Sequence, residues 1–417
     1  MSPTHAAVLG LELFPCKHVV VPASLDPSEA LTRATRIDSE LRRAGWITAG
    51  VDFEVEYQVG SRQDDDLGFL DYLLPDEDGR PLALVEAKRS SRDALAGKEQ
   101  ARLYADAIEA RDGRRPLVFL ANGLETWLWD HVSDPRRVSS FLNRDDLRRR
   151  RYQLENRVAL SSVEINTSIV ERDYQHVAIR TAHDAFKQGR RRVLWVMATG
   201  TGKTRTVTAL IDTLMRASWA QRVLILTDRV ALADQAAEAL AEHLPNEPVG
   251  RITGSTYDTS RRLQVSTLQT MQDFHTSFGA GAFDLVITDE CHRSIYNRWE
   301  SVLARFDARL VGLTATPSDF LGRDTFTFFD CQDRQPTYGY ELDEAVADGW
   351  LVPYEAYHAR TTIQLDGIDG SSLSPERRAE LIEQGIDPDD IDFAGSELER
   401  KVTNEETTRL LAPILAQ

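Results

Sequence analysis

Short apolar runs bounded by polar turns recur through the middle of the chain: Val193–Val196, Val223–Leu226, Leu263–Val265, Leu285–Ile287 and Leu310–Leu313. Between them the apolar positions take a helical period, as in Val207, Leu210 and Leu214. Strands alternating with amphipathic helices predict a parallel sheet covered on both faces. Further upstream, Phe69–Leu74, Leu82–Val85 and Leu117–Leu120 read as strands behind a helical opening, with Asp76-Glu77-Asp78-Gly79 as a hairpin turn between the first two. The charge-dense stretch Asp145–Arg151 reads as a helix, with a solvated face and a DNA-contacting face equally open. Downstream of Gln332 the pattern becomes acidic and irregular, with turn signals at Asp366-Gly367 and Asp369-Gly370. These shifts divide the chain into an α/β block over 1–132, a helical connector over 133–170, a parallel-sheet block over 171–331 and a final segment over 332–417.

Composition narrows the class. A chain of 417 residues with 42% hydrophobic content can bury a core in each of two or three domains. Cys16, Cys291 and Cys331 lie far apart with no CxxC spacing, which supports neither a disulfide framework nor a zinc site and suggests a reducing cytoplasm. No apolar run is long enough to span a bilayer, and the opening residues lack a signal-peptide pattern, so no membrane role is expected. The net charge of −17 argues against indiscriminate nucleic-acid binding but allows a local basic groove. Part of the imbalance is local, since Asp366–Arg400 holds eleven acidic residues against three arginines.

The chemistry concentrates at Met197-Ala198-Thr199-Gly200-Thr201-Gly202-Lys203-Thr204, which meets the phosphate-binding loop pattern between a strand and a helix. Gly200 and Gly202 let the backbone curl so that N–H groups of the loop, including those of Thr199 and Thr201, face a β-phosphate at a helix N-terminus. Lys203 is placed to reach the β- and γ-phosphates, and Thr204 to give its hydroxyl to Mg²⁺. Asp289-Glu290-Cys291-His292 follows an apolar strand, at the end where open parallel sheets bind ligands. There Asp289 is expected to hold the metal and Glu290 to orient or deprotonate the attacking water.

With Leu313-Thr314-Ala315-Thr316-Pro317, Val265–Thr270, Leu226-Thr227-Asp228-Arg229 and Arg172-Asp173-Tyr174-Gln175, these motifs resemble, in order, the first RecA-like lobe of a superfamily 2 helicase or translocase. The resemblance puts Asp289–His292 in the DEAH-type position and implies that Arg172, Tyr174 and Gln175 contact adenine. It also implies that Thr314 and Thr316 couple the nucleotide site to movement. The segments around Asp228-Arg229 and Ser266-Thr267 would touch the nucleic-acid backbone.

The first block carries a quieter set. Asp71 lies on one expected strand, and Glu86 and Lys88 share a face of the next. Two carboxylates and a lysine at one edge can bind Mg²⁺ and activate water for phosphodiester cleavage. The arrangement resembles the PD-(D/E)xK nuclease core, in which Gln100 and Tyr104 would match the downstream Gln-xxx-Tyr element. Glu29-Ala30-Leu31-Thr32-Arg33, Ile37-Asp38, Leu41 and Ala44-Gly45-Trp46 resemble the opening helix of type I restriction motor subunits, and Arg293–Asn297 and Tyr340–Val346 leading to Asp348–Tyr354 resemble other stretches of the same family. In that family Glu29 can join Asp71 and Glu86 at the metal.

The expected architecture is thus an N-terminal PD-(D/E)xK nuclease-like α/β domain, a RecA-like parallel-sheet helicase lobe, and the start of an incomplete second lobe. The resemblance implies an ATP- and Mg²⁺-dependent translocase and endonuclease acting on double-stranded DNA, with methyltransferase and specificity subunits as partners. A motor of this kind needs a second lobe with an arginine finger, and the sequence ends at Gln417 before one is complete. Two alternatives stay open: a stand-alone helicase-nuclease of another defence or repair pathway, and a non-catalytic module that binds ATP or DNA without turnover.

Overall fold

The structure is a computed structural model that describes residues 29–59, 68–254, 257–290, 298–316, 319–320, 323–353, 368–369, 375 and 392–393. Residues 1–351 form one compact unit and residues 352–417 another.

The first unit contains two sheets. The first has six strands in chain order: β1 (Glu54–Gln58), β2 (Phe69–Pro75), β3 (Pro81–Ala87), β4 (Leu117–Ala121), β5 (Thr126–Trp129) and β6 (Arg136–Val138). Only β3 and β4 pair in parallel, because helix α3 (Lys98–Asp112) crosses between them; the other neighbours are antiparallel. The tight turn after β2 closes through the Asp76 N–H on the Arg80 carbonyl at 2.7 Å, with Gly79 at φ 79°. Helix α3 stops at Gly113, whose φ of 69° places it in the left-handed region that favours glycine.

Side chains alternate across this sheet. Ala83, Val85, Phe119 and Ala121 face a cluster with Ile37 and Leu41 of the opening helical segment, Trp46, Phe141, and Leu147 of helix α4 (Arg144–Asn156). Leu84, Val118 and Leu120 face Ala101, Tyr104 and Ile108 of α3. The opening segment is itself irregular, with a π-helical turn at Arg33–Ile37 between α-helical turns Glu29–Thr32 and Asp38–Arg43.

The second sheet is built from β7 (Arg192–Met197), β8 (Val223–Thr227), β9 (Val249–Ile252), β10 (Leu263–Thr267), β11 (Leu285–Thr288), β12 (Arg309–Thr314) and β15 (Tyr338–Tyr340). All its pairings are parallel, in the order β15-β7-β12-β11-β8-β10-β9. Two-residue strands β13 (Asp319–Phe320) and β14 (Arg323–Asp324) pair antiparallel beside it. Alternation again sorts the core. Val193, Trp195, Ile225, Val265, Ile287 and Val311 pack with helices α5 (Asp173–Lys187), α6 (Lys203–Arg216) and α7 (Val230–His243). Leu194, Leu224, Val286 and Leu310 face Met271, Phe278, Phe283 and Phe306 on the other side. This is the doubly covered parallel sheet that the alternating pattern predicted. The first sheet extends to Val138, and the second takes in Tyr338–Tyr340, so β6 and β15 lie beyond the block edges expected at 132 and 331.

The helix at Asp145–Arg151 has one solvated edge, with Asp145 exposed and Arg148 half-buried, while Arg149, Arg150 and Arg151 turn into the protein. Asn143 caps α4 by accepting the Asp146 N–H at 2.8 Å; Arg148 pairs with Asp76 of the turn after β2, and Arg149, Arg150 and Arg151 point inward. Arg149 donates to Asp146 at 2.9 Å, to Asp284 at 3.2 Å and to the Gly281 carbonyl. Arg150 reaches the Asp307 carboxylate at 2.9 Å, whereas Arg151 turns back to the Pro81 carbonyl of the first sheet at 2.9 Å. Asp307 also receives Arg136 through two hydrogen bonds, at 2.7 and 2.8 Å, and Arg191 at 2.8 Å. Burial alone would raise the Asp307 carboxyl, but Arg136, Arg191 and Arg150 hold it well below the usual carboxylate range. Through Arg149, Arg150 and Arg151 the helix fastens the two sheets together, and the charges of Arg149 and Arg150 are spent on buried carboxylates at the starts of β11 and β12.

Residues 352–417 contribute one described pairing, β16 (Ile368–Asp369) with β17 (Asp392–Phe393), antiparallel. Among the described residues no helix is long and apolar enough to cross a membrane.

Candidate functional site

The phosphate-binding loop joins β7 to α6. Gly200 and Gly202 have φ of 87° and 82°, so both need the left-handed freedom that glycine provides. A Cβ on Gly202 would sit 2.8 Å from Gln175 Nε2, so the loop and the start of α5 are in direct contact. Thr199, Gly200 and Thr204 are exposed, while Thr201 is buried, its hydroxyl donating to the Ala198 carbonyl at 2.6 Å. Lys203 Nζ rests on the Met197 carbonyl at 3.1 Å. Burial lowers the Lys203 pKa, opposed by the nearby Asp289 and Glu290 carboxylates.

Asp289 and Glu290 stand at the C-terminal end of β11, beside the loop. The Asp289 N–H donates to the Leu226 carbonyl at 2.9 Å, and Glu290 adopts a φ of 51° with its N–H on Asp289 Oδ1 at 3.0 Å. Burial and the adjacent Glu290 charge push the Asp289 carboxyl upward. A cation between loop and carboxylates would relieve that repulsion. The donor set fits Mg²⁺, with the exposed Thr204 hydroxyl and the Asp289 carboxylate as oxygen ligands, leaving Glu290 for a water. Cys291, His292, Arg293–Asn297 and Pro317 lie outside the described residues.

The Arg172–Gln175 element is brought to the loop. Tyr174 Oη donates to the Thr201 carbonyl at 2.7 Å, Gln175 Nε2 approaches the same carbonyl at 3.4 Å, and Arg172 donates to Tyr174 Oη at 2.8 Å. Tyr340 stacks on Tyr174 with centroids 4.1 Å apart, a partner the sequence signalled only through the resemblance of Tyr340–Val346 to type I restriction subunits. Thr314 ends β12, its hydroxyl accepting the Thr316 N–H at 3.0 Å. Ser266 and Thr267 are used inside the lobe. Ser266 is fully buried and donates to the Ile252 carbonyl, and Thr267 caps helix α8 (Leu268–Phe274). Neither side chain is presented for a nucleic-acid backbone, while Arg229 is exposed.

In the first sheet Asp71, Glu86 and Lys88 also come together. Asp71 Oδ2 accepts the Ala87 N–H at 2.7 Å across the β2–β3 pair, and Lys88 Nζ lies 2.5 Å from Glu86 Oε1. Gln100 Oε1 is 3.5 Å from Lys88 Nζ and its amide donates to Tyr104 Oη at 2.9 Å, while Tyr104 donates to the Phe69 carbonyl. Gly97 is required here, because a Cβ would fall 2.6 Å from Glu86 Cγ. Arg33 pairs with Asp71 Oδ1 at 2.5 Å and was given no role by the sequence; its signal was a position four residues after Glu29 on the same helical segment.

Among the described residues no group of three or more His, Cys, Asp or Glu could hold a metal. The Glu29 side chain lies outside the described residues, so its place at a metal is not among the observed geometry. Asp71 and Glu86 remain as two hard oxygen donors, which suits Mg²⁺, an ion that commonly takes one or two carboxylates and keeps its waters.

The family described as "Type III restriction enzyme, res subunit" matches residues 168–319, from just before α5 into β13. The endonuclease subunit of the type I restriction enzyme EcoAI of Escherichia coli is 26% identical over 94% of this chain and 48% of its own length. The corresponding EcoKI subunit of Escherichia coli K12 is 25% identical over 76% of this chain and 34% of its own length. Over most of its length the chain is homologous to type I restriction endonuclease subunits. The resemblance to type I restriction subunits is borne out. A solved fragment of an HsdR subunit of a type I restriction enzyme from Vibrio vulnificus is 27% identical, covering 78% of this chain and 61% of that one, with a TM-score of 0.37. The chain thus spans about half or less of the length of these two curated relatives.

Proposed function

We propose that this chain is the nuclease and first motor lobe of the restriction subunit of a type I restriction–modification system, an ATP-driven double-stranded DNA translocase with Mg²⁺-dependent endonuclease activity. Its partners are the methyltransferase and specificity subunits, which supply sequence recognition. The observation that carries the reading is the presence in one compact unit of two separate constellations. One is Lys203 with Asp289 and Glu290, and the other is Asp71 and Glu86 with Lys88.

In this reading the PD-(D/E)xK endonuclease domain runs through β6 at Val138, the connector reaches residue 170, the first ATPase lobe starts at 171 and takes in β15 at Tyr338–Tyr340, and the residues after it lead towards a second lobe. Thr199, Gly200, Thr201 and Gly202 cradle the phosphates, Lys203 neutralises the transferring one, and Arg172, Tyr174 and Gln175 take the adenine side. Thr204 and Asp289 hold the nucleotide's Mg²⁺, His292 completes the motif, and Glu290 aligns the attacking water. Asp71 and Glu86, with Glu29, hold the nuclease Mg²⁺, and Lys88 steadies charge on the phosphodiester. The bound ions supply Lewis-acid charge for phosphoryl transfer and phosphodiester cleavage.

The test uses the chain assembled with its partner subunits on a DNA carrying the recognition site. Lys203→Ala should abolish both ATPase and cleavage, whereas Asp71→Ala should abolish cleavage alone. Normal cutting by Asp71→Ala removes the nuclease assignment, and undiminished ATPase in Lys203→Ala removes the motor assignment.

A further inference from the structure

The aromatic group beside the phosphate loop extends past the Arg172–Gln175 element. Trp350 closes the turn after helix Leu342–Ala347, and its backbone is fixed by N–H donation from Trp350 and Leu351 to the Ala345 carbonyl at 2.9 and 3.0 Å. Arg172 lies over the indole with its guanidinium carbon 4.5 Å from the ring centroid, and Tyr174 meets the same ring edge-on at 6.2 Å and 67°. The segment is held to the phosphate loop at two further points: Ala198 donates to the Tyr340 carbonyl at 2.9 Å, and Leu351 Cδ2 lies 3.1 Å from where a Cβ on Gly200 would stand.

Trp350 is nonetheless 45% exposed, while Tyr174 and Tyr340 are 7% and 4% exposed. A large aromatic ring held rigidly next to a phosphate site, backed by a guanidinium and still open to solvent, has the chemistry of a stacking platform for a flat heterocycle. Tyr174 and Tyr340 already cover each other, so neither offers a free face. We propose that Trp350, with Arg172 behind it, is the seat for the nucleobase of the bound nucleotide and makes the site prefer purine over pyrimidine triphosphates. The inference rests on the assignment of the loop as an ATP site.

Purines offer more stacking surface than pyrimidines, and loss of one aromatic partner from a stacked base weakens binding on the order of 5- to 150-fold. The experiment measures affinities of the full 417-residue chain for ATP, CTP and inorganic tripolyphosphate by calorimetry, in the wild type and in Trp350→Ala, Trp350→Leu and Trp350→Phe. Thermal unfolding of each variant controls for folding. The expected result is a loss of ATP affinity of about tenfold in Trp350→Ala and Trp350→Leu, a collapse of the ATP-to-CTP ratio towards one, unchanged tripolyphosphate binding and substantial recovery in Trp350→Phe. Equal weakening of ATP and tripolyphosphate would make Trp350 a support for the loop and overturn the base seat. Unchanged ATP and CTP affinities in Trp350→Ala would overturn it as well. A wild-type chain that binds neither ATP nor tripolyphosphate would instead remove the underlying nucleotide assignment.

Discussion

The buried acid Asp307 offers the sharpest test of how the two sheets are joined. Its side chain is 3% exposed and accepts two hydrogen bonds from Arg136, one from Arg150 and one from Arg191, all between 2.7 and 2.9 Å. Replacing it by asparagine keeps the shape and removes the charge, leaving three guanidinium groups beside a neutral amide. Breaking a buried ion pair from one side costs about 3–5 kcal/mol. The Arg191 side chain is 29% exposed and can turn partly to water, which puts the expectation for Asp307→Asn at the lower end, about 3 kcal/mol. With a urea slope of about 3 kcal/mol/M, the unfolding midpoint should fall by about 1 M at neutral pH, with the slope unchanged.

The same substitution has a pH signature. Because the Asp307 pKa is depressed in the folded chain, its contribution is complete above the unfolded carboxyl value of about 3.9 and disappears as pH falls through the lower folded value. The gap between wild type and Asp307→Asn should therefore be flat from about pH 5 to 8 and narrow below about pH 4. Asp106→Asn supplies the control, since Asp106 pairs with Arg102 at 38% and 42% exposure, and surface pairs contribute about 0–1 kcal/mol. A midpoint shift for Asp307→Asn no larger than that of the control would refute the fastening role.

Three other outcomes follow from individual contacts. Gly97→Ala should displace Glu86, whose Cγ lies 2.6 Å from the added methyl, and so reduce DNA cleavage by the assembled complex more than tenfold while ATPase stays within twofold, a pair of assays on one preparation. Gly281→Ala should wedge Asp146 away from Arg149, its Cβ lying 2.6 Å from the new atom, and lower the thermal midpoint without changing ATP affinity, as differential scanning fluorimetry and calorimetry would show. His183 donates to or accepts from Thr213 at 2.9 Å, and burial pushes its imidazole down to about 4, so the unfolded chain binds the extra proton between pH 6.5 and 4. Stability should fall on the order of 2–3 kcal/mol across that window, and urea midpoints of His183→Asn should lack that slope.

What the sequence made legible was governed by local period and by backbone requirement. Val193–Val196 lies within β7 and Leu285–Ile287 within β11, because strands buried on both faces are continuous apolar runs and need no distant information. The loop between β7 and α6 was legible because its two glycines, Gly200 and Gly202, sit where φ is positive. Asp71, Glu86 and Lys88 were legible as a group through strand alternation and a hairpin turn, both local properties. β9 and β6 were not, since Val249–Ile252 and Arg136–Val138 are short and interrupted by glycine or arginine.

The arginines of α4 mark where local reading ends. A helix rich in arginine is hydrophilic by every local measure, and a polar face on a helix ordinarily means solvent. Here burial of Arg149 and Arg150 depends on carboxylates 135 and 157 residues away in the sequence. Asp284 and Asp307 themselves look like ordinary loop acids before strands, and only the parallel register that places β11 beside β12 brings them to one end of the sheet. A buried charge is costly unless paired, so neither partner alone could be assigned to the interior. The Arg149–Asp284 and Arg150–Asp307 pairs are consequences of the completed fold, and the first sheet is joined to the second through contacts that no single segment specifies.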